Sequence, residues 1–315
     1  MMRILGAAAI ALLLALSARS AAAADTIRVA RSGLGIAFAP ADVGNEAGIW
    51  QALGIELRIL DITGTKIEQA LTAGEADVGL GAGVALGFRA KGVPTVGVAA
   101  LAGPPYSFTL VVRPDSPIRG VADLKGKSVG VTTAGSVTYW LVRELSRQQG
   151  WGTNGIQTVT LGDDRSRTAA LKNGEIDANL TTTLQAFDGE AHGQSRLLMN
   201  FGDIVKDFHT FVINASDRFV AEKPELLTRF LKGWFQTVAY MKKNKEASIA
   251  ILGKVMNTSP DITSKIYDLE MPGCTDNGHF DTNAMKDLYA TLIAPNLGGK
   301  QVEVSSLYTE SFLPK

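Results

Sequence analysis

Cysteine and histidine are scarce: one Cys and three His in 315 residues. With Cys274 alone, no disulfide can form within the chain, so the fold must rest on an ordinary apolar core. The 46% hydrophobic content can supply one. Cys274 lies in a loop-like run, 272–278, and is not read as a catalytic nucleophile. His192, His209 and His279 show no metal-ligand spacing with Cys274 or with one another, which argues against a zinc site. No cofactor is expected. Net charge is lacking too: 31 basic side chains balance 31 acidic ones. Without a basic patch or tail, nucleic acid is not an expected partner. Beyond residue 24 there is no run of 18 or more apolar residues, the length a helix needs to span a bilayer.

What the chain has begins at its N-terminus. Arg3 is followed by an apolar stretch, 4–16, and then Ala22-Ala23-Ala24 before Asp25. That order is a secretory signal peptide with a small-residue cleavage site. The apolar stretch is too short to cross roughly 30 Å of hydrocarbon. No Cys follows it, so no lipid anchor is expected, and the mature protein should be exported and soluble. Removing Arg3 and Arg19 leaves 29 basic against 31 acidic groups, a net charge near −2.

Eleven residues, 70–80, nearly recur 100 positions later at 170–180. Six positions are identical: Ala70/Ala170, Leu71/Leu171, Gly74/Gly174, Glu75/Glu175, Asp77/Asp177 and Leu80/Leu180. The same offset aligns Val29 with Val129 and Gly35 with Gly135. Two copies are too few for a solenoid. They predict two lobes on one plan, with a ligand cleft between them.

Hydrophobic periodicity supports this plan. Lobe one reads as strands over 27–30, 55–59, 76–80 and 93–101, with helices from about 39, over 65–73 and from Gly83. Lobe two reads as strands over 128–131, 156–161, 176–180 and 197–201, with helices over 136–149, 165–172 and from Thr181 or Thr182. Alternating strands and helices predict α/β lobes with mostly parallel sheets flanked by helices. Two β-rich segments, 108–112 and 210–213, resemble each other and are expected to be crossing strands of a hinge. Helices over 224–242, 245–255, 259–267 and 282–293 should pack back on lobe one. The expected division is a signal peptide over 1–24, lobe one over 25–110 and 213–315, and lobe two over 111–212.

Several segments in order carry a resemblance. They are Ala39-Pro40 through Gly48-Ile49-Trp50, Gly54-Ile55-Glu56-Leu57 and Gly74-Glu75-Ala76-Asp77. Next come the run from Asp123 to Val131, then Gly135-Ser136, and Gly174-Glu175-Ile176-Asp177. Together they resemble the substrate-binding proteins of ABC importers for nitrate, sulfonates, taurine and related small molecules. The resemblance implies a two-lobed type 2 periplasmic-binding fold of Venus-flytrap form. It also implies a periplasmic monomer that hands a small molecule to an inner-membrane ABC permease and its ATPase. It leaves open a sulfonate, nitrate, carboxylate, or an aromatic or pyrimidine-type compound.

In open α/β sheets, ligands bind beyond the carboxyl ends of strands, at helix N-termini. The loops there are rich in Gly, Ser and Thr, whose amides and hydroxyls can hold an anion. The expected ligand-binding residues are Ser32, Leu34, Gly35, Phe38, Gly64, Thr65, Gly83 and Val84 from lobe one. Tyr106 and His209 come from the hinge, and Thr133, Ser136, Thr138, Thr181 and Thr182 from lobe two. The nearest basic groups are Arg31 and Arg165. Glu75/Asp77 and Glu175/Asp177 are read as structural. Three enzyme signatures fail. Gly126-Lys127-Ser128 lacks the earlier glycine of a phosphate loop, Val121 standing there, and it precedes a strand. The glycines at 79, 81 and 83 lack the third dinucleotide-fingerprint glycine. Ser136 lacks the glycine of a nucleophile elbow. The reading is therefore a binding protein and not an enzyme, with no catalytic or metal residues. The alternatives are an enzyme on the same fold acting on a small carboxylic acid, or a periplasmic ligand sensor.

Overall fold

The computed structural model describes residues 24–31, 33–62 and 66–315. The signal peptide reading, and Ser32, Gly64 and Thr65 among the expected site residues, lie outside the described residues. Two five-stranded sheets form the two lobes. The strands of the first are β1 (Asp25–Arg31), β2 (Ile55–Asp61), β3 (Val78–Ala82) and β4 (Thr95–Ala102). The chain then crosses to the second sheet. Its strands are β5 (Phe108–Val112), β6 (Ser128–Val131), β7 (Gln157–Thr160), β8 (Ala178–Thr182) and β9 (Arg196–Asn200). A return crossing leads to β10 (Phe211–Ser216), which completes the first sheet.

The two sheets share one topology. The first runs β2-β1-β3-β10-β4 and the second β7-β6-β8-β5-β9. In each, the fourth strand is antiparallel to both of its neighbours. The segments expected to be crossing strands are therefore sheet members, and the crossings themselves precede them, between Ala102 and Phe108 and between Asn200 and Phe211.

The 100-residue offset holds in space, and the repeated residues show why. Val29 lies opposite Val78, and Val129 opposite Ala178. Gly74 and Gly174 end their helices with φ of 72° and 78°. In that left-handed region a side chain costs about 1–2 kcal/mol. Three residues on, Asp77 accepts the Arg28 amide at 2.8 Å, and Asp177 accepts the Ser128 amide at 2.8 Å. The Arg28 side chain also binds Asp77, and the Ser128 hydroxyl binds Asp177. Each repeat thus stops a helix and fastens the start of the central strand. This turn also delays β3 and β8 by two residues relative to the expected strands at 76–80 and 176–180.

The helices are α1 (Pro40–Glu46), α2 (Ile49–Ala52), α3 (Lys66–Ala73), α4 (Leu86–Ala90), α5 (Val137–Gln148), α6 (Asp164–Asn173) and α7 (Thr183–Ala191). After β10 come α8 (Asp217–Glu222), α9 (Pro224–Lys243), α10 (Lys245–Met256), α11 (Pro260–Glu270) and α12 (Thr282–Leu288). On α9, Leu227, Phe230, Leu231, Trp234, Val238 and Met241 recur at three- and four-residue spacing and are buried. This stripe meets Trp50 of α2, which stacks on Phe230 at 5.5 Å. Burying side chains of this size stabilises by roughly 1.5–3 kcal/mol each. The helix expected over 282–293 stays α-helical only to Leu288, and Tyr289–Ile293 widens into a π turn. Pro295 follows and has no N–H for the ladder. Among the described residues no helix is long and apolar enough to cross a membrane.

Candidate ligand cleft

The carboxyl ends of the parallel strands in the two sheets face each other across the crossings. Phe38, after β1, packs on Phe211 of β10 with ring centroids 4.7 Å apart. Phe211 in turn lies 6.3 Å from Phe108 of β5. At the start of α7, Thr183 donates its amide to the Ser107 carbonyl at 3.0 Å and its hydroxyl to the Tyr106 carbonyl at 2.7 Å. Phe187 of α7 packs on the lobe-one core, and the Lys265 ammonium of α11 sits 5.9 Å above its ring. Lobe two therefore leans on lobe one through α7 and α11.

The lobe-two wall is made of helix N-termini. Ser136 caps α5, its hydroxyl accepting the Tyr139 amide at 3.2 Å. Thr132, Ser136 and Thr138 join their hydroxyls in a triangle with edges of 2.8, 2.9 and 3.0 Å. The Thr132 amide also donates to Thr138 Oγ1 at 3.0 Å. A ring of three O–H groups can open one edge toward an anion. Thr133 stands exposed on the same loop. Asp163 caps α6 and Thr182 caps α7, the latter in a capping box with Gln185.

Beneath these caps lies Arg167, 4% exposed. Its Nε donates to Asn179 at 3.1 Å, and its guanidinium pairs with Asp164 at 3.0 Å and binds the Gly162 carbonyl. Burial lowers its pKa from the usual value, with Asp164 opposing that shift. Thr181 donates to the same Asp164 carboxylate at 2.5 Å. Arg165, expected to be the nearest base here, is exposed. Arg31 is buried but held by Asp42 at 2.6 Å and Asp61 at 3.0 Å.

The lobe-one wall is different in character. Leu34 is exposed and Gly35 half-buried. The next amide, of Ile36, donates to Glu270 at 3.2 Å. Glu270 is buried at the end of α11. Burial pushes its carboxyl up to about 7. Glu270 and Arg167 were absent from the expected site. Each is a charged residue in register with a helix's buried face: Thr263, Ile266, Glu270, and Arg167, Ala170, Leu171. That spacing is the signal that finds them.

Other expected residues are engaged elsewhere. Gly83 is buried, its amide donates to the Thr210 carbonyl at 3.0 Å, and a Cβ there would strike the His209 carbonyl. Val84 is half-buried and packs against the apolar core that includes Leu86, Phe208 and Leu288. His209 Nε2 accepts the Asp281 amide at 2.9 Å, and its ring meets Phe280 edge-on. Burial lowers the His209 pKa, in keeping with an Nε2 that accepts instead of donating. The Tyr106 ring is held between Gly202 and Gly273, where a Cβ would strike it. Phe38 and Thr138 are buried. Gly35, Thr133, Ser136 and Thr182 stay on loops or helix starts at the opposed strand ends.

Cys274 is buried, and desolvation followed by Glu270 pushes its thiol up to about 12. A thiol so placed is a poor nucleophile. Among the described residues no group of three or more His, Cys, Asp and Glu converges as a metal ion would need.

Paired α/β lobes of matching topology, two crossings and a cleft rimmed by helix N-termini define a periplasmic-binding-type fold. The family model "NMT1/THI5 like" matches residues 36–248, and the chain belongs to that family. A sequence from Escherichia coli (strain K12), assigned as an aliphatic sulfonates-binding protein, is 27% identical over 249 residues, covering 76% of this chain and 75% of that one. Among solved structures, the alkanesulfonate-binding protein of Xanthomonas axonopodis pv. citri, bound to MOPS, superposes with a TM-score of 0.75 at 20% identity. The match covers 92% of this chain and 99% of that one. A desulfurization enzyme, DSZB, shares the fold at a TM-score of 0.64 and 18% identity, over 91% of this chain and 97% of its own.

Proposed function

We propose that this protein is the periplasmic solute-binding component of an ABC importer and that it captures a small anion, a sulfonate first, between its lobes. The carrying observation is the lobe-two wall. Three capped helix N-termini, the Thr132–Ser136–Thr138 hydroxyl triangle and buried Arg167 converge there. Oriented amides and dipoles hold an anion without a bare surface cation, each helix end contributing about 0.3–1 kcal/mol and up to about 2 when partly buried. The sulfonate ligands named for the relatives support that chemistry. The protonated, buried Cys274 thiol favours capture over catalysis.

The test is calorimetric titration with alkanesulfonates, nitrate, short carboxylates, aromatic acids and pyrimidines. A ligand at about 100 times its Kd should add about 2.7 kcal/mol to stability. Binding of a pyrimidine or nitrate with no response to sulfonates would refute the ligand class. Uptake into vesicles carrying the permease and ATPase separates import from sensing, and ligand recovered unaltered after long incubation excludes turnover.

A further inference from the structure

The outer edges of the two sheets are not alike. In the first sheet β4 is covered: the Thr309 amide donates to the Gly97 carbonyl, the Thr275 amide to that of Leu101, and the Ala100 amide to that of Gly278. In the second sheet β7 has four residues, and β9 has five with a shift in register against β5. Short length and a broken register keep a sheet edge from pairing. β2 has neither defence. It runs seven residues, Ile55–Asp61, in unbroken register with β1 and without proline. The Asp25 amide donates to Gly54 and the Ile62 amide to Arg31, so the even-numbered residues of this segment turn their backbone groups to β1. By alternation Ile55, Leu57, Ile59 and Asp61 turn theirs outward. Among the described residues no backbone hydrogen bond reaches those outward groups. Glu56 and Arg58 are exposed on this edge. Arg58 stands directly opposite Arg28 of β1, a like-charge contact that costs stability. Asp77 engages Arg28 and leaves Arg58 without a partner.

We propose that β2 is a self-association edge, to which a second copy of this chain adds its own β2, antiparallel, about a two-fold axis at Leu57. The outward backbone groups belong to odd-numbered residues, so the strands exchange hydrogen bonds only when the axis passes through a residue and not between two. An axis at Glu56 sets that carboxylate against its own copy, and an axis at Arg58 does the same with the guanidinium. Only an axis at Leu57 sets Glu56 of each copy against Arg58 of the other. Those pairs fall at non-hydrogen-bonded positions, where cross-strand side chains approach most closely. Guarding charges of one sign would repel a copy of themselves; a Glu and an Arg two residues apart match themselves when the strand is reversed. On the opposite face Leu57 meets its own copy and Ile55 meets Ile59. Leu57 and Ile59 are half-buried in the single chain, and pairing covers them further. Two strands of this length bury less than a standard interface, so the association is weak and depends on concentration. Antiparallel pairing points the carboxyl ends of the two sheets in opposite directions, so neither copy lies across the other's cleft. A pair of this kind departs from the expected monomer and is independent of which ligand the cleft takes.

Sedimentation velocity and light scattering of the full mature protein, over a range of concentrations, test the pairing. The wild type should pass from monomer to dimer as concentration rises, and added salt should weaken the dimer. The Leu57 and Ile59 amides should exchange with solvent more slowly at high concentration than at low. Arg58→Glu and Glu56→Arg each turn two attractive cross-strand pairs into repulsive ones, and each should raise the dimer dissociation constant about tenfold or more. Mixing the two single variants brings unlike charges together again and should restore association between them. The double variant Glu56→Arg/Arg58→Glu should dimerise by itself. Melting curves verify that each variant folds, and both positions are exposed. A wild type that stays monomeric at every concentration overturns the inference. So does a dimer that neither single variant weakens, a pair of single variants that does not recover on mixing, or exchange at Leu57 and Ile59 that ignores concentration.

Discussion

Replacing Glu270 with Gln should flatten one component of the protein's pH-dependent stability. The carboxyl titrates near 4.5 in a free chain and near 7 in the fold, because burial disfavours its charged form. Between those values the folded protein holds a proton that the unfolded chain has released. Folding there takes up a proton, so stability falls as pH rises from about 4.5 to 7 and then levels off. A displacement of that size corresponds to ~3 kcal/mol in ligand-free protein. The glutamine amide would stay neutral throughout and keep an acceptor for the Ile36 amide. The variant should match the wild type near pH 4.5 and exceed it by ~3 kcal/mol at pH 8. For chains of 150–250 residues, 1 kcal/mol moves Tm by about 2–4 °C, so the gap here should be roughly 5 °C or more. Asp42 and Glu68, also raised by burial, titrate in both proteins and cancel in the difference. Paired melting curves from pH 4.5 to 8 provide the assay. A gap that does not change with pH, or a variant less stable at pH 8, would refute the reasoning.

Four further outcomes separate binding from scaffold. Thr133→Leu should leave Tm unchanged, since Thr133 is exposed and caps nothing, yet weaken anion binding by blocking the cleft; calorimetry beside a melting curve checks both. Ser136→Ala should do both kinds of damage, losing about 1 kcal/mol of helix capping and about tenfold or more in anion affinity, read by the same two measurements. Gly74→Ala and Gly174→Ala should cost similar amounts, about 1–2 kcal/mol each by denaturant titration, because both occupy the same left-handed turn and the Arg218 side chain near Gly74 is exposed and can move aside. Small-angle scattering should show a smaller radius of gyration once a confirmed ligand bridges both walls, and an unchanged profile at saturation would count against closure.

Local chemistry made much of this architecture legible. Gly74 and Gly174 stop helices for a reason any chain must obey, and Asp77 and Asp177 anchor strands through amides only 49 residues away. Ser136 and Thr182 announce helix starts, because an oxygen at that position satisfies an otherwise orphaned amide. The candidate site was legible to the same depth: its caps were visible, its buried charges were not. Arg167 and Glu270 each sit on a helix face that is otherwise apolar or small, and periodicity records only that the face is buried. Whether a buried charge meets a partner depends on what arrives from elsewhere in the chain. For Glu270 that is the Ile36 amide, 234 residues distant. Gly83 and His209, expected at the site, are packed over for the converse reason. Their sequence setting, at a strand end and beside a crossing, matches that of ligand-contact residues. Yet the return crossing lies against Gly83, and the segment before α12 takes up the His209 ring. A loop at the right edge of a sheet is thus necessary for a binding site, but what packs on it decides which amides and side chains remain free. In this protein the C-terminal segments make that decision: Asp281, just before α12, takes up His209, and α11 brings Glu270 to the Ile36 amide.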